Sequence, residues 1–312
     1  MDFTLHQLKI FLKVAELGSI TRAAEELYLT QPAVSIQLRN MQDQFDIPLT
    51  EVIGRRLYIT PFGREVEKHA QRIVDEMDQM KHQTMAYKGF LAGELKVSVV
   101  STAKYVMPYF LTGFMNLHQG LELTMDVTNK QKVIRALNRN EVDFAMVSVI
   151  PDKLKVNTID LMENTLCLVA SPGQPFTSNN PKQLEDMSLI FREQGSATRT
   201  AMETYLNDQN ITPKKQMTLT SNEAVKQAVI AGLGVSIMPL IGIKNELQNG
   251  DLQIYPLKGL PIITHWQLVW LKDKELSPAA RAYLGYMEFN KKTVIKEHFS
   301  WFSNFTGTVK QP

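Results

Sequence analysis

The chain has 312 residues, 44% of them hydrophobic, with 34 Lys and Arg against 32 Asp and Glu. That is enough apolar material for two or three domains with real cores. No apolar run is long enough to span a bilayer, and the polar-interrupted start does not read as a signal peptide, so the expected location is cytoplasmic.

The first elements are short and helical. Leu5, Leu8, Phe11, Leu12 and Ala15 recur at helical spacing. Ser19 is placed to cap a second helix whose inner face carries Ile20, Ala23, Ala24 and Leu27; the small Ala23-Ala24 pair admits a close neighbour. Thr30 caps a third helix, with Pro32 in the first turn where its missing amide costs nothing. Val34, Leu38, Met41 and Phe45 form the buried stripe of this helix. Its outer side carries Gln31, Pro32, Ser35, Ile36, Arg39 and Asn40. A helix entering the major groove reads bases through its N-terminal side chains. Gln31 suits adenine, Ser35 suits either edge, Ile36 suits a thymine methyl, and Arg39 suits phosphate. Residues 49–60 then read as a hairpin wing with Arg55 and Arg56 at its tip, placed for phosphate or minor-groove contact. Residues 1–60 hold six Lys and Arg against seven Asp and Glu. Only the placement of Arg22, Arg39, Arg55 and Arg56, and no bulk basicity, argues for a backbone footprint.

Three motifs in order carry a family resemblance: Gly18-Ser19-Ile20-Thr21-Arg22-Ala23-Ala24, then Thr30-Gln31-Pro32-Ala33-Val34-Ser35, then Gly54-Arg55-Arg56 with Thr60-Pro61-Phe62-Gly63. The segment resembles the winged helix-turn-helix of LysR-type transcriptional regulators. Thr50-Glu51-Val52 stands where that family usually has Phe-Glu-Arg, and Ile36 is apolar where relatives often carry a polar reader. The resemblance implies a double-stranded DNA operator bound through Arg22, Thr30, Gln31, Pro32, Ser35, Ile36, Arg39, Arg55 and Arg56, with RNA polymerase as a candidate partner.

Residues 61–90 start at Pro61 and meet no further proline. Val66, Ala70, Ile73, Met77, Met80, Thr84 and Tyr87 alternate spacings of four and three, the seam of a two-stranded coiled coil. The alternative is one amphipathic helix packed on its own chain. The absence of a second apolar face favours a homodimer, and a two-fold protein suits a two-fold operator. The resemblance implies the same dimer helix, with dimers often pairing into tetramers.

From Glu94 strands and helices alternate, which indicates a mostly parallel α/β sheet. Strands are expected over 95–100, 122–127, 142–149, 188–191, 234–238 and 262–271. Helices are expected over 104–117, 130–139, 198–209, 223–231 and 278–290. Two such units form hinged lobes, with crossings near 165–170 and 267–271. In open α/β sheets small molecules bind beyond the C-terminal strand ends, against helix N-termini. Ser101, Thr102 and Lys104, then Thr128 and Asn129, then Gln194, Ser196, Thr198 and Arg199 occupy such turns, with Ser148 on the third strand. Capping alone also favours Ser, Thr and Gly there. Jointly they suggest a cleft for a small anionic effector, with Lys104 and Arg199 opposed across it. This region resembles the periplasmic-binding-protein-like effector domain of the same family. Ser101-Thr102-Ala103-Lys104-Tyr105 with Pro108, and residues 192–199, are similar to the subgroup that regulates Calvin-cycle (RuBisCO) operons, which implies a phosphorylated metabolite.

The expected architecture is therefore an α+β multidomain chain. A winged helix-turn-helix (1–60) and a long linker helix (61–90) precede a two-lobed α/β effector domain (91–300), with lobe I at 91–165 plus 269–300 and lobe II at 166–268. A tail (301–312) remains, whose aromatic run from Phe299 to Phe305 folds back on a lobe or a partner subunit and whose last residues fray. An enzyme on this scaffold would need a nucleophile with its base, a metal cluster or a cofactor loop. No such motif occurs, six histidines share no metal-ligand spacing, and the lone Cys167 excludes an intramolecular disulfide switch. No cofactor or metal is expected.

Overall fold

The computed structural model describes residues 2–54, 56–87, 91–151, 154–174 and 176–309, with side chains omitted at 56, 78–79, 81–87 and 303–309. The chain folds as two compact units, Met1–Phe90 and Leu91–Pro312.

The first unit runs α1 (Leu5–Leu17), α2 (Ile20–Glu26), α3 (Gln31–Gln42), β1 (Thr50–Ile53), β2 (Arg56–Ile59) and α4 (Pro61–Tyr87). Local chemistry sets its breaks. Thr4 and Gln7 form a reciprocal capping box on α1, and Gly18 ends that helix in the left-handed region at φ 61°. Ser19 Oγ accepts from Arg22 N at 3.3 Å, and Thr30 Oγ1 accepts from Ala33 N at 3.4 Å. Leu8, Phe11, Ala23, Ala24, Val34, Leu38 and Met41 form the buried core, whereas Leu5 points outward at 40% exposure. Gln7, buried, donates to Gln37 Oε1 at 3.1 Å and ties α1 to α3. Strands β1 and β2 form the antiparallel wing, with Thr50 opposite Ile59 and Ile53 opposite Arg56.

Helix α4 departs from expectation. Ala70 is buried in the head core, and Phe62, Val66 and Val74 pack against it. A face of the first turns is thus committed to the helix's own chain, and Val66 and Ala70 leave the expected seam. Ile73 (44% exposed) and Met80 (65%) are exposed further along. The side chains of Thr84 and Tyr87 lie outside the described residues. Gly63 is required at the α4 start: a Cβ there would overlap the Leu49 carbonyl and come within 2.8 Å of Ile59 Cγ2.

The second unit keeps the strand-helix alternation read from sequence, with shifted bounds, but its main sheet is mixed and not mostly parallel as expected, because four of its six strand pairings are antiparallel. Its elements are β3 (Ala92–Val100), α5 (Met107–Leu117), β4 (Gly120–Thr128), α6 (Lys130–Asn138), β5 (Phe144–Val147), β6 (Val156–Ala170), β7 (Ser188–Arg192), α7 (Ala197–Asp208), β8 (Lys215–Leu219), α8 (Asn222–Ile230), β9 (Ser236–Pro239), α9 (Lys244–Asn249), β10 (Gln253–Ile254), β11 (Ile262–Leu271) and α10 (Pro278–Val309). A seven-stranded sheet has the order β10-β6-β11-β5-β3-β4, with β9 also on β6, while β7 and β8 pair separately in parallel. The long strands β6 and β11 run antiparallel from Val156/Leu271 to Leu166/Ile262, with a bulge between Trp266 and Gln267. The expected crossing at 165–170 is thus only the end of a 15-residue strand. Polar Thr158, Asp160, Glu163 and Asn164 hide its first half from a hydrophobicity reading. In its second half, alternation assigns Leu166, Leu168 and Ala170 to one core and Cys167 and Val169 to the other. Burial pushes the Cys167 thiol up to about 12, consistent with a space-filling role.

Helix α10 does not stop at Asn290 but continues to Val309, so residues 306–309, expected to fray, are helical, and the rest of that expected frayed end lies outside the described residues. Phe299 and Phe302 are buried, and the Phe299 ring meets Tyr109 at 5.2 Å and Phe110 at 6.2 Å. Phe299 and Phe302 therefore complete the core of their own domain. Removing such a ring leaves a cavity, so Phe299→Ala is expected to destabilise the second unit by about 3 kcal/mol. Urea titration followed by tryptophan fluorescence reads this directly, because Trp266, Trp270 and Trp301 all lie in that unit.

Candidate DNA-binding face and effector cleft

On the first unit, α3 presents the residues expected of a reading helix. Gln31, Pro32 and Arg39 are exposed, Ile36 is 54% exposed, and Ser35 is half-buried at the edge of the face. Thr30 is exposed with its hydroxyl spent on capping, and Arg22 lies exposed on α2. The apolar stripe of α3 is turned into the core, so the polar side is the free one. Gly54, at φ 56°, turns the wing. Arg55 and the Arg56 side chain lie outside the described residues. The sequence reading passed over Tyr28, a fully exposed residue held at φ 54° in the turn before α3.

In the second unit the expected effector residues converge on the ends of β3, β4 and β7, but the central cation is a different one. Arg192, the last residue of β7, is only 3% exposed. Its Nε and Nη2 donate to the two carboxylate oxygens of Glu193 at 2.8 and 3.0 Å, and Nη2 also donates to Ser101 Oγ at 3.2 Å. Nη1 donates to Asn222 Oδ1, and Asn222 Nδ2 reaches Ser101 Oγ at 3.5 Å. Ser101, at the end of β3, is thereby tied to β7 and α8. A second tie is Gln131 N donating to Gly195 O at 3.3 Å. Gly195 sits at φ 84°, and a Cβ there would come within 2.9 Å of Gln131 Oε1.

Arg199 does not face Lys104 as expected. Its Nε donates to Glu203 Oε1 at 2.7 Å, its Nη1 to Arg192 O at 2.9 Å and Thr218 Oγ1 at 3.3 Å, and its guanidinium lies over the Phe191 ring. The i,i+4 spacing to Glu203 on α7 draws it along its own helix. Gln194, with its amide oxygen turned to Arg199, accepts from Nε and Nη2 at 3.2 and 3.0 Å. Lys104 lies over the Tyr105 ring. Burial would raise the Glu223 carboxyl, but bonds from Lys226 and Gln227 and the charges of Lys226 and Lys104 hold it below the usual range.

The remaining expected residues divide into caps and open hydroxyls. Asn129 Oδ1 accepts from Lys132 N at 3.1 Å and so caps α6. Thr128 and Ser148 are half-buried. Thr102, Ser196 and Thr198 are buried, and neither Thr102 nor Ser196 bonds a helix amide through its hydroxyl, although both stand at N-cap positions. Arg192 and Asn222 were missed. The only signal for them is a charged residue ending an otherwise apolar strand and an amide opening a helix.

Residues 5–64 match the model of the bacterial regulatory helix-turn-helix protein, lysR family, and residues 88–289 match that of the LysR substrate binding domain. The chain belongs to the LysR family: it is a DNA-binding transcriptional regulator with an effector-binding domain, not an enzyme. A RuBisCO operon transcriptional regulator of Allochromatium vinosum is 37% identical over 290 residues, covering 92% of this chain and 96% of that one. The regulatory domain of CcmR from Synechocystis PCC6803, solved in complex with 2-PG, is 29% identical with a TM-score of 0.60, covering 66% of this chain and 99% of that one. Full-length CbnR complexed with its target DNA shares the fold at 19% identity, with a TM-score of 0.66 and coverage of 92% and 99%.

Breaking a buried ion pair on one side strands the other charge. Arg192→Ala is expected to lower the stability of the second unit by about 3 kcal/mol, and adding Glu193→Gln should recover part of that loss. Fluorescence-detected denaturation of the single and double variants checks both.

Proposed function

We propose that this regulator binds a two-fold operator through paired α3 helices and responds to a small anionic effector held between the lobes of its second unit. Supporting this, the ends of β3 and β7 are joined through Ser101, Arg192 and Asn222, beside the buried residues Thr102, Ser196 and Thr198. Polar groups brought to the C-terminal ends of strands are where an α/β sheet receives a ligand. A ligand that prefers one lobe arrangement shifts the population toward it and couples to the DNA heads. The related CcmR domain in complex with 2-PG makes 2-PG the first ligand to try, and the RuBisCO operon regulator makes genes of carbon fixation the first operators.

In this reading Gln31, Pro32, Ser35 and Ile36 read bases, while Arg22, Arg39, Arg55 and Arg56 hold phosphates. The remaining seam of α4, from Ile73 and Met77 to Met80, pairs two chains, and dimers pair into tetramers. RNA polymerase is the partner through which bound protein acts, in the cytoplasm. Gln31→Ala should weaken specific operator binding about tenfold or more while leaving 2-PG binding intact. Arg39→Ala should weaken binding to all sequences and flatten its salt dependence by about one ion. Thr102→Val should abolish the effect of 2-PG on DNA binding and spare dimerisation. Electrophoretic shifts at several salt concentrations, with and without 2-PG, test all three, and a normal 2-PG response in Thr102→Val overturns the cleft.

A further inference from the structure

Helix α10 continues over residues 290–309, past residue 289 where the match to the LysR substrate binding domain ends. Its course follows from ring contacts with α5. Tyr283 and Tyr286 meet Phe114 at 5.2 and 5.6 Å, whereas Phe299 meets Tyr109 and Phe110 at 5.2 and 6.2 Å. Later residues of α10 thus meet earlier residues of α5. The two helices run antiparallel, and the end of α10 is carried to the start of α5, just after the end of β3.

There it meets a different part of the domain. The Lys244 ammonium lies over the Trp301 ring, 4.6 Å from its centre. Lys244 opens α9, where the dipole of its own helix disfavours a cation. Among the described residues no carboxylate forms an ion pair with it, and the indole face takes that place. Helix α9 is fixed in turn to the second half of the domain. Glu246 pairs with Lys226 of α8 at 2.7 Å, and β9, which leads toward α9, pairs with the Leu166–Val169 end of β6. Within one turn, α10 therefore grips α5 through Phe299 and α9 through Trp301.

We infer that the last turns of α10 are a strap that draws lobe II against lobe I and sets how much effector is needed to act. The inference rests on the two-lobed effector reading above and adds to it an internal restraint. The two anchors lie on opposite sides of the proposed cleft: α5 follows β3 and Ser101, while α9 is tied to α8, which begins at Asn222. A ligand that bridges both sides binds the drawn-together arrangement, so its apparent affinity falls when that arrangement is less populated.

The test is hydrogen exchange of the full-length protein without ligand, read by mass spectrometry on the wild type, Lys244→Gln, Lys244→Arg, Trp301→Ala and Phe289→Ala. Lys244→Gln leaves the indole in place, which separates loss of the restraint from loss of a packed ring. Amides of residues 236–249 should exchange about threefold or more faster in Lys244→Gln and Trp301→Ala, with those of β4 in Lys244→Gln at wild-type rates. Lys244→Arg keeps a cation over the ring, and Phe289→Ala removes a ring that is 82% exposed on the same helix; both should stay within about twofold of wild type. Unchanged exchange in Lys244→Gln, or faster exchange throughout the second unit, overturns the strap. In electrophoretic shifts, the half-effective 2-PG concentration should rise about threefold or more in Lys244→Gln and not in Lys244→Arg. An unchanged value in Lys244→Gln overturns the strap's regulatory role. If the wild type does not respond to 2-PG, that ligand falls, and exchange alone decides the strap.

Discussion

A guanidinium withdrawn almost completely from water is stable only when every side of it is matched, and Arg192 is matched by groups from three directions. Glu193 supplies the charge from the next residue, Asn222 an acceptor from α8, and Ser101 an acceptor from the end of β3. Because Ser101 and Arg192 belong to different ends of the unit, satisfying one buried charge also fixes how those ends meet. The proposed effector cleft depends on that constraint. It leaves the buried residues Thr102, Ser196 and Thr198 beside the junction, and it occupies Arg192 with Glu193.

The recognition end of the protein depends on a simpler constraint. In α3 the apolar positions are packed against α1 and α2, so the surface left for DNA follows from what is buried. That is why a segment with no net positive charge serves as a DNA-binding head. Local caps place the helix, and a few exposed side chains contribute the contacts.

What was legible in the sequence was mainly what is local. Ser19 and Thr30 cap the helices they were expected to cap, and the Val34, Leu38, Met41 stripe is buried as its spacing requires, whereas Asn129, read as an effector residue, caps α6. What was not legible was set by partners distant in sequence. The spacing of Arg199 to Glu203 was visible, but not that this pair and the Phe191 ring would draw Arg199 away from Lys104. Arg192 finds Ser101 across 91 residues, which no periodicity encodes. Val66 and Ala70 fit a coiled-coil seam and a head core equally well by pattern, and only the packing of α1 against α4 separates the two. The closing helix was read only to Asn290 and a tail from residue 301, yet Phe299 and Phe302 are needed to finish the core.

The absence of a side chain at Gly63 brings the first turn of α4 directly against the Leu49 carbonyl and the base of the wing. With Phe62, Val66 and Ala70 keyed into the same core, helix and wing form a joint with no slack. Whatever tilts the far end of α4 must swing its reading surface through the same angle, as a rigid crank does. In the proposed dimer, the pitch at which two such surfaces meet a duplex is then set by helix geometry.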